Sequence, residues 1–392
     1  MNEVVIASAA RLPVGRLGGA LKDSDELTMG ALVIKESLAR AGIKPEQVDE
    51  VIMGQNFRSG KVPSNSARAM SIQAGLPLEI PQITINKHCA AGIKSIVLAA
   101  QAIKSGDAEI IVAGGLELMS QAAYLVPNIR WGPRLGHQSL QDQLIMMDPI
   151  CGLSMGETAE KLAREFDISR DEQDQFAFSS QQKANAAIRA GRFKEEIVPI
   201  EIPQSKGTSV LFDTDEHPRP ETTLEKLANL KPYFASDGCV TAGNASGMND
   251  GAAAVVVMSK SMAKELGVQP MAKISSYASV GVDPSIMGIG PVPATQNALS
   301  KINLDINDID LIEVNEAFAC VGIHFIREFE PDLDRVNVNG GAIALGHPIA
   351  ATGTVIVTKL LYELRRRNGR HGLATMCAGG GQGIALIVDR QI

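Results

Sequence analysis

VDEVIMG, residues 48–54, returns near the other end of the chain as IDLIEVN, residues 309–315, with its aspartate (Asp49, Asp310) and the β-branched residue two places on (Val51, Ile312) kept in register. Both segments are short apolar runs of strand length, and both sit in the same succession of elements. Around the first, EVVIASAA (3–10) reads as a buried strand and ELTMGALVIKESLARAG (26–42) as an amphipathic helix stopped by Gly42. GIKSIVLAAQAIKSG (92–106) reads as a helix closed by Gly106, followed by the strand AEIIVAGG (108–115). Around the second, TGTVIVTKLLYELRRRNG (352–369) is a helix leading into the strand LATMCAGGG (373–381). Strand and helix alternate in both regions, which predicts a layered α/β architecture with a mostly parallel sheet. The matching order predicts one fold used twice.

From 119 to 247 the pattern loosens. Helical pieces such as TAEKLAREFDISRDEQDQFAFSSQQKANAAIRAG (158–191) lie between irregular stretches rich in Pro, Gly and charge, and read as an insertion. Loops this long in a compact protein are usually functional. VTAGNASGMNDGAAAVVVMS (240–259) then resumes as a glycine-rich turn, a helix start near Asn249 and a strand completing the first half. The expected division is 1–118 plus 248–268 as an N-terminal half, 119–247 as an inserted loop domain, and 269–392 as a C-terminal half.

A chain of 392 residues exceeds the size at which one core keeps growing, in keeping with two halves and an insertion. Its 45% hydrophobic and 4% aromatic content, with 37 glycines, suits a tightly packed α/β protein rather than a disordered or aromatic-rich recognition module. A net charge of −7 argues against a nucleic-acid surface. The five cysteines (Cys89, Cys151, Cys239, Cys320, Cys377) are odd in number and scattered, without a C-x-x-C pair, so neither a disulfide framework nor a metal site is expected, and a reducing compartment is the simpler setting. No apolar run reaches membrane-spanning length, the N-terminus lacks a secretion pattern and DRQI is not a peroxisomal signal; a cytoplasmic protein is expected.

Three segments carry chemistry. In NKHCAAG (86–92), Cys89 follows the strand ITIN and opens a helix, where backbone N–H groups and the helix dipole would favour thiolate. It reads as a nucleophile or as a small buried cysteine. His88, whose side chain should point away from its neighbour's, reads as structural. In GGAIALGHPIAATG (340–353), His347 sits in a small-residue turn between Gly346 and Pro348, a setting suited to an acid–base group, whereas His324 in AFACVGIHFIREF (317–329) reads as core packing. In MCAGGGQG (376–383), Cys377 ends a strand against Gly379, Gly380 and Gly381, whose N–H groups could converge on an anion; the alternative is a plain tight turn. Asn315 ends another strand, so all four groups are expected at one end of the sheet. There is no Walker segment and no convincing dinucleotide fingerprint.

Taken together, NKHCAAG, VTAGNASGMNDGAA, VNEAFA, NVNGGAIALGHPIAATG and CAGGGQG, in this order across essentially the whole chain, resemble the thiolase family of acetyl-CoA acetyltransferases and 3-ketoacyl-CoA thiolases. The resemblance implies two similar five-stranded halves in a five-layer α-β-α-β-α arrangement with a loop domain inserted in the first. It implies acyl transfer to Cys89, His347 as the base that activates it, and Cys377 exchanging a proton with the α-carbon or the leaving group. Asn315 would hold a water in one oxyanion hole with His347, and the N–H groups of Cys89 and Gly379 would form a second. The activity implied is condensation of two acetyl-CoA or the reverse thiolysis. The alternatives are thiolysis of longer or aromatic-derived 3-ketoacyl chains and, remotely, a non-catalytic acyl-CoA-binding protein.

The same resemblance implies coenzyme A and acyl-CoA as substrates, with no permanently bound cofactor and no metal. DEHPRPETTLEKLANLKPYF (215–234) is similar to the family's CoA-binding stretch, giving Arg219 for the nucleotide phosphates and Ser246 for the pantetheine. Met155, Met287, Ala317 and Phe318 match positions lining the pantetheine and acyl end. YLVPNIRWGPRLGHQSLQDQLIMM (124–147) resembles a tetramer-forming loop, so a homodimer or homotetramer is implied. The chain departs from the family pattern at Ala91, Ala350 and Thr352, where serine, glycine and serine are usual, and at Ser154, where short-chain members commonly carry histidine.

Overall fold

The computed structural model describes residues 3–59, 64–132, 134–145, 147–204 and 207–392; Pro133 and Met146 of the 124–147 loop lie outside them. Among the described residues nine strands make the main sheet: β1 (Val4–Arg11), β2 (Glu50–Gly54), β3 (Gln82–Ile85), β4 (Ile110–Leu118), β5 (Asn249–Ser259), β6 (Ala272–Gly281), β7 (Leu311–Val314), β8 (His371–Ala378) and β9 (Gln382–Asp389). The short strand Gly15–Arg16 adds to the start of β5. The helices are α1 (Glu26–Ala41), α2 (Ser66–Gln73), α3 (Ala91–Ser105), α4 (Met155–Glu165), α5 (Arg170–Arg189), α6 (Leu224–Ala228), α7 (Lys260–Glu265), α8 (Pro291–Ser300), α9 (Ala319–Phe329), α10 (Ala342–Leu345) and α11 (Ile349–Arg367).

Strand order makes the duplication visible. The first half runs β3-β2-β4-β5-β1 and the second β7-β8-β9-β6. Val336 forms a parallel bridge to Ile312 on β7, so a single residue pair stands where β3 flanks β2 in the first half. The halves join edge to edge through two residue pairs only, Val5 with Lys273 and Ile6 with Ala272. The sheet is mixed rather than mostly parallel. β2 is parallel to β3 and β4, and β7 to β8, but β5 and β9 run against both neighbours. For β9 the reason is local: the Gly379–Gly381 turn joins it directly to β8, and a connection that short can only make an antiparallel pair.

Residues of β5 alternate between two cores. Val255 and Val257 face a central cluster with α3 and α11, while Ala254, Val256 and Met258 face an outer cluster with α1. This burial on both faces explains a correction: the expected helix start at Asn249 is absent, and the alanine-rich NDGAAAVVVMS is strand from its first residue. Outer helices, sheet, the α3–α11 pair, sheet and α8 make up the five layers.

The central helices touch backbone to backbone. A Cβ on Gly92 would meet the Thr354 nitrogen at 2.6 Å, one on Gly353 the Ile93 nitrogen at 2.4 Å, and one on Gly115 of β4 the Ala350 oxygen at 2.2 Å. These glycines let α3 and α11 cross without side chains between them. The region 119–247 contributes α4, α5, α6 and two small hairpins. It is tied to β1 by Arg11, which is fully buried and pairs with Glu196 at 2.8 Å and Asp215 at 2.7 Å. No helix among the described residues is long and apolar enough to cross a membrane.

Candidate active site

The crossing of α3 and α11 sets the site, because both helices begin at the same place. Cys89 lies in the turn His88–Ala90 that leads into α3, and His347 lies two residues ahead of α11. Cys89 packs against the apolar cluster of Phe57, Met119 and Ile349, the last in the first turn of α11. The sulfur of Cys89 receives the backbone N–H of Gly379 and its own N–H. Burial nevertheless pushes the thiol up to about 12, with the charge of Glu117 adding to the effect and the two N–H groups opposing it. This corrects the expectation of a resting thiolate: the donors at the helix start are present, but desolvation outweighs them, so the thiol needs a base.

His347 is buried, and burial pushes its imidazole down to about 4, so the ring is neutral at physiological pH. Nδ1 lies 2.7 Å from Thr352 Oγ1, while Nε2 is buried without a partner among the described residues. With Nδ1 donating to the hydroxyl, Nε2 carries the free lone pair. The His347 N–H donates to Asn249 Oδ1 at 2.9 Å, and the Asn249 side chain fills the space beside Gly346, whose φ of +98° is open to glycine.

Cys377, on β8, is fully buried, and its thiol is raised by burial and next by the neighbouring Cys89. Asn315 follows β7; its N–H donates to Thr375 O at 3.0 Å, bringing it beside the end of β8, and both amide atoms of its buried side chain lack partners among the described residues. Gly379 closes the ring, with the Met155 sulfur 3.5 Å and the His88 ring 3.7 Å from where a Cβ would lie. Buried polar atoms without partners are uncommon. Among the described residues they include His347 Nε2 and both ends of the Asn315 amide.

Met287, Ala317 and Phe318 share an apolar cluster with Cys377, and Met155 packs against it. The Ser246 N–H donates to Ala317 O at 3.0 Å. Arg219 is set apart: it is exposed on the surface and linked to this region through His217, whose ring lies against Gly247. Ser154 caps α4 by accepting the Glu157 N–H at 3.3 Å. His324 packs on Phe166 with ring centroids 4.3 Å apart. His88 is not remote from the site: it has a φ of +49°, and its ring faces Gly379 with Nδ1 unpartnered.

Four residues near the site escape sequence reasoning. Glu117 on β4 is buried, and burial raises its carboxyl to about 8, against the opposing N–H groups of Phe57, Ala350 and Asn56. Its contact to Ala350 N, 3.1 Å, links the first half to the start of α11. Thr352 orients His347, Asn249 holds the same residue's backbone, and Asp148 accepts the Gly380 N–H. Only Thr352 has a local signal, a hydroxyl five residues after the histidine.

Two family models cover nearly the whole chain: thiolase, N-terminal domain, over residues 4–261, and thiolase, C-terminal domain, over residues 268–390. An acetyl-CoA acetyltransferase of Cupriavidus necator is 53% identical over 394 aligned positions, covering 100% of both chains. Among solved structures, the Bacillus anthracis acetyl-CoA acetyltransferase superposes with a TM-score of 0.97 at 45% identity, covering 99% of each chain. Human mitochondrial 3-ketoacyl-CoA thiolase in complex with CoA superposes at 0.96 with 44% identity, covering 100% of this chain and 98% of its own.

Proposed function

Because this chain belongs to the thiolase family, we propose that it transfers acetyl groups through Cys89 and joins two of them by a Claisen condensation. It is an acyltransferase, an acetyl-CoA C-acetyltransferase that condenses two acetyl-CoA to acetoacetyl-CoA and free CoA or runs the reverse CoA-dependent thiolysis. In the first step, His347 Nε2 takes the Cys89 proton as sulfur attacks the thioester carbonyl. The oxyanion accepts N–H bonds from Cys89 and Gly379, and its collapse expels CoA thiolate, which takes a proton from Cys377. The Cys377 thiolate then removes the α-proton of the second acetyl-CoA. His347 and a water held by Asn315 carry the enolate oxygen while its carbon attacks the acetyl-Cys89 carbonyl. Cys89 leaves as thiolate and regains the proton held at His347.

The observation that carries this reading is the set of buried, unpartnered polar atoms on His347 and Asn315 beside two thiols, one of which already accepts the Gly379 N–H. His347 Nε2 and the Asn315 oxygen are unpaired acceptors and the Asn315 NH2 an unpaired donor, so the site calls for a proton donor such as a thiol at the imidazole and for a water at the amide. Incubation with acetyl-CoA should add one acetyl group to Cys89, read by peptide mass spectrometry; no adduct would overturn the mechanism.

Substrate would lie with its pantetheine along Ser246, Met155, Met287, Ala317 and Phe318 and its phosphates toward Arg219, the division of labour being 119–247 for CoA and oligomer contacts and the halves 1–118 plus 248–268 and 269–392 for chemistry. Ser154 as a helix cap in place of histidine favours a second reading, thiolysis of longer 3-ketoacyl-CoAs in fatty-acid breakdown. Thiolysis rates across a ladder of chain lengths separate the two. Self-association as a dimer or tetramer is supported by exposed apolar side chains in the 124–147 loop, Trp131 and Leu135 foremost. A reducing cytoplasm suits an enzyme needing two free thiols.

A further inference from the structure

We propose that Asp148 is a positioning residue for the chemistry at Cys89: its carboxylate holds the Gly380 N–H and thereby aims the adjoining Gly379 N–H at the carbonyl oxygen of the acyl group. The proposal deepens the reading of Gly379 given above and rests on it.

Asp148 is buried in the short segment that leads into α4. Both of its oxygens are committed. Oδ1 accepts the N–H groups of Ile150 at 2.8 Å and Cys151 at 3.2 Å, and Oδ2 accepts that of Gly380 at 2.8 Å. The backbone closes on itself, since Asp148 N donates to Leu153 O and Gly152 N to Asp148 O, each at 2.8 Å. The carboxylate is therefore held by a rigid loop and not by the freedom of its own side chain. Burial alone would raise this carboxyl, but the N–H groups of Ile150, Cys151 and Gly380 outweigh it and hold it below its ordinary range. Both acceptor oxygens are thus available at any working pH.

The turn it grips needs gripping. Gly380 and Gly381 have φ of +78° and +69°, and three consecutive glycines have many other conformations to visit. Two further contacts restrain the turn, Gln382 Nε2 to Gly379 O at 3.2 Å and Val282 N to Gly381 O at 2.7 Å. Of the three, only the Asp148 contact joins the turn to the region 119–247, and only it is charge-assisted. The peptide between Gly379 and Gly380 has its N–H held by Asp148 and its C=O by Gln382, and Ala378 on the other side is held in the β8–β9 pairing, so the Gly379 N–H lies between two restrained segments and loses its freedom to turn.

Asn at 148 offers one acceptor oxygen and an NH2 group, which would face either Gly380 N–H or the Ile150 and Cys151 N–H groups as donor against donor. Ser at 148 keeps an acceptor for the local turn and is too short for Gly380. The test uses the full-length enzyme acetylated from acetyl-CoA carrying a 13C carbonyl and freed of CoA. The isotope-edited infrared band of the acetyl-Cys89 carbonyl reports its hydrogen bonds. In the unsubstituted enzyme the band is expected well below that of a model thioester in a solvent without donors. In both Asp148→Asn and Asp148→Ser it should return toward the model value, and single-turnover acetylation of Cys89 should slow roughly ten- to a hundredfold, less than the ~10²–10³ of a deleted donor. An unshifted band in the unsubstituted enzyme would sink the reading of Gly379 and this proposal with it. A shifted band that both variants leave in place would overturn the role of Asp148 alone, because a merely structural residue lowers stability without moving it.

Discussion

The two central helices begin alike and end up doing opposite things. The start of α3 surrounds Cys89 with donors, its own N–H and that of Gly379, while the start of α11 leaves His347 with an unshared Nε2. Duplication brings two equivalent helix N-termini to one point; divergence equips one to stabilise negative oxygen and the other to take protons. Burial disfavours charge at both, raising the thiol and lowering the imidazole, so at rest each partner is neutral and a proton moves only when a substrate arrives.

The largest effect tests whether the two ends are interchangeable. Cys89→Ala should lower turnover by roughly 10⁴ or more and abolish the acetyl adduct, because no group at the His347 end can accept the acyl chain. Next, Cys377→Ala should suppress condensation and thiolysis by about 10²–10⁴ while slowing the first acetylation of Cys89 far less. Equal loss of both steps, measured by single-turnover labelling beside steady-state rates, would contradict separate roles for the two thiols.

The imidazole predicts a pH signature on the His347 side. Unfolded histidine titrates near 6.5 and the folded residue at about 4, so between those values only the unfolded chain binds the proton. This contribution is fully present above pH ~6.5 and is lost as pH falls toward 4, amounting to on the order of 3 kcal/mol. Chemical denaturation of the native chain and of His347→Asn across that window should show a shallower pH slope for the variant. Gly353→Ala attacks the contact between the two helices: its Cβ would meet the Ile93 backbone, and the expected destabilisation is about 1–3 kcal/mol in the denaturation midpoint. Smallest, Thr352→Val removes the oxygen beside Nδ1 and should slow turnover about tenfold, with little change in apparent acetyl-CoA affinity.

Much of the fold was legible because it is written in local periodicity. The strand at 50–54, the helix stopped by Gly42 and the helix stopped by Gly106 need only neighbours in sequence. Asn249 misled because an alanine-rich strand covered on both faces lacks the alternation that marks half-exposed strands. The site divided in the same way. Cys89, His347, Cys377 and Asn315 stand in or beside distinctive turns, whereas the contacts by which Glu117 and Asp148 reach the site, to Ala350 N and Gly380 N, each span more than 200 residues and are not legible in their own segments. The state of the Cys89 thiol follows the same division: the donor supplied by its own N–H is local in sequence, and the burial that outweighs it is not.

The first strand of the sheet has consequences for how the chain is made. Among the described residues, the strands that β1 pairs with are β5 and β6, both encoded after the insertion, and its last residue Arg11 bridges Ile197 within the insertion. At a synthesis rate of ~5–20 residues per second, the roughly 240 residues between β1 and β5 take on the order of 10–50 s to emerge. Throughout that interval VVIASAAR has no partner strand, and all eight of its residues are buried in the finished molecule. A nascent chain in this condition exposes a sticky edge until its middle third is complete, so the ribosome-bound first half is the stage at which chaperones would matter most.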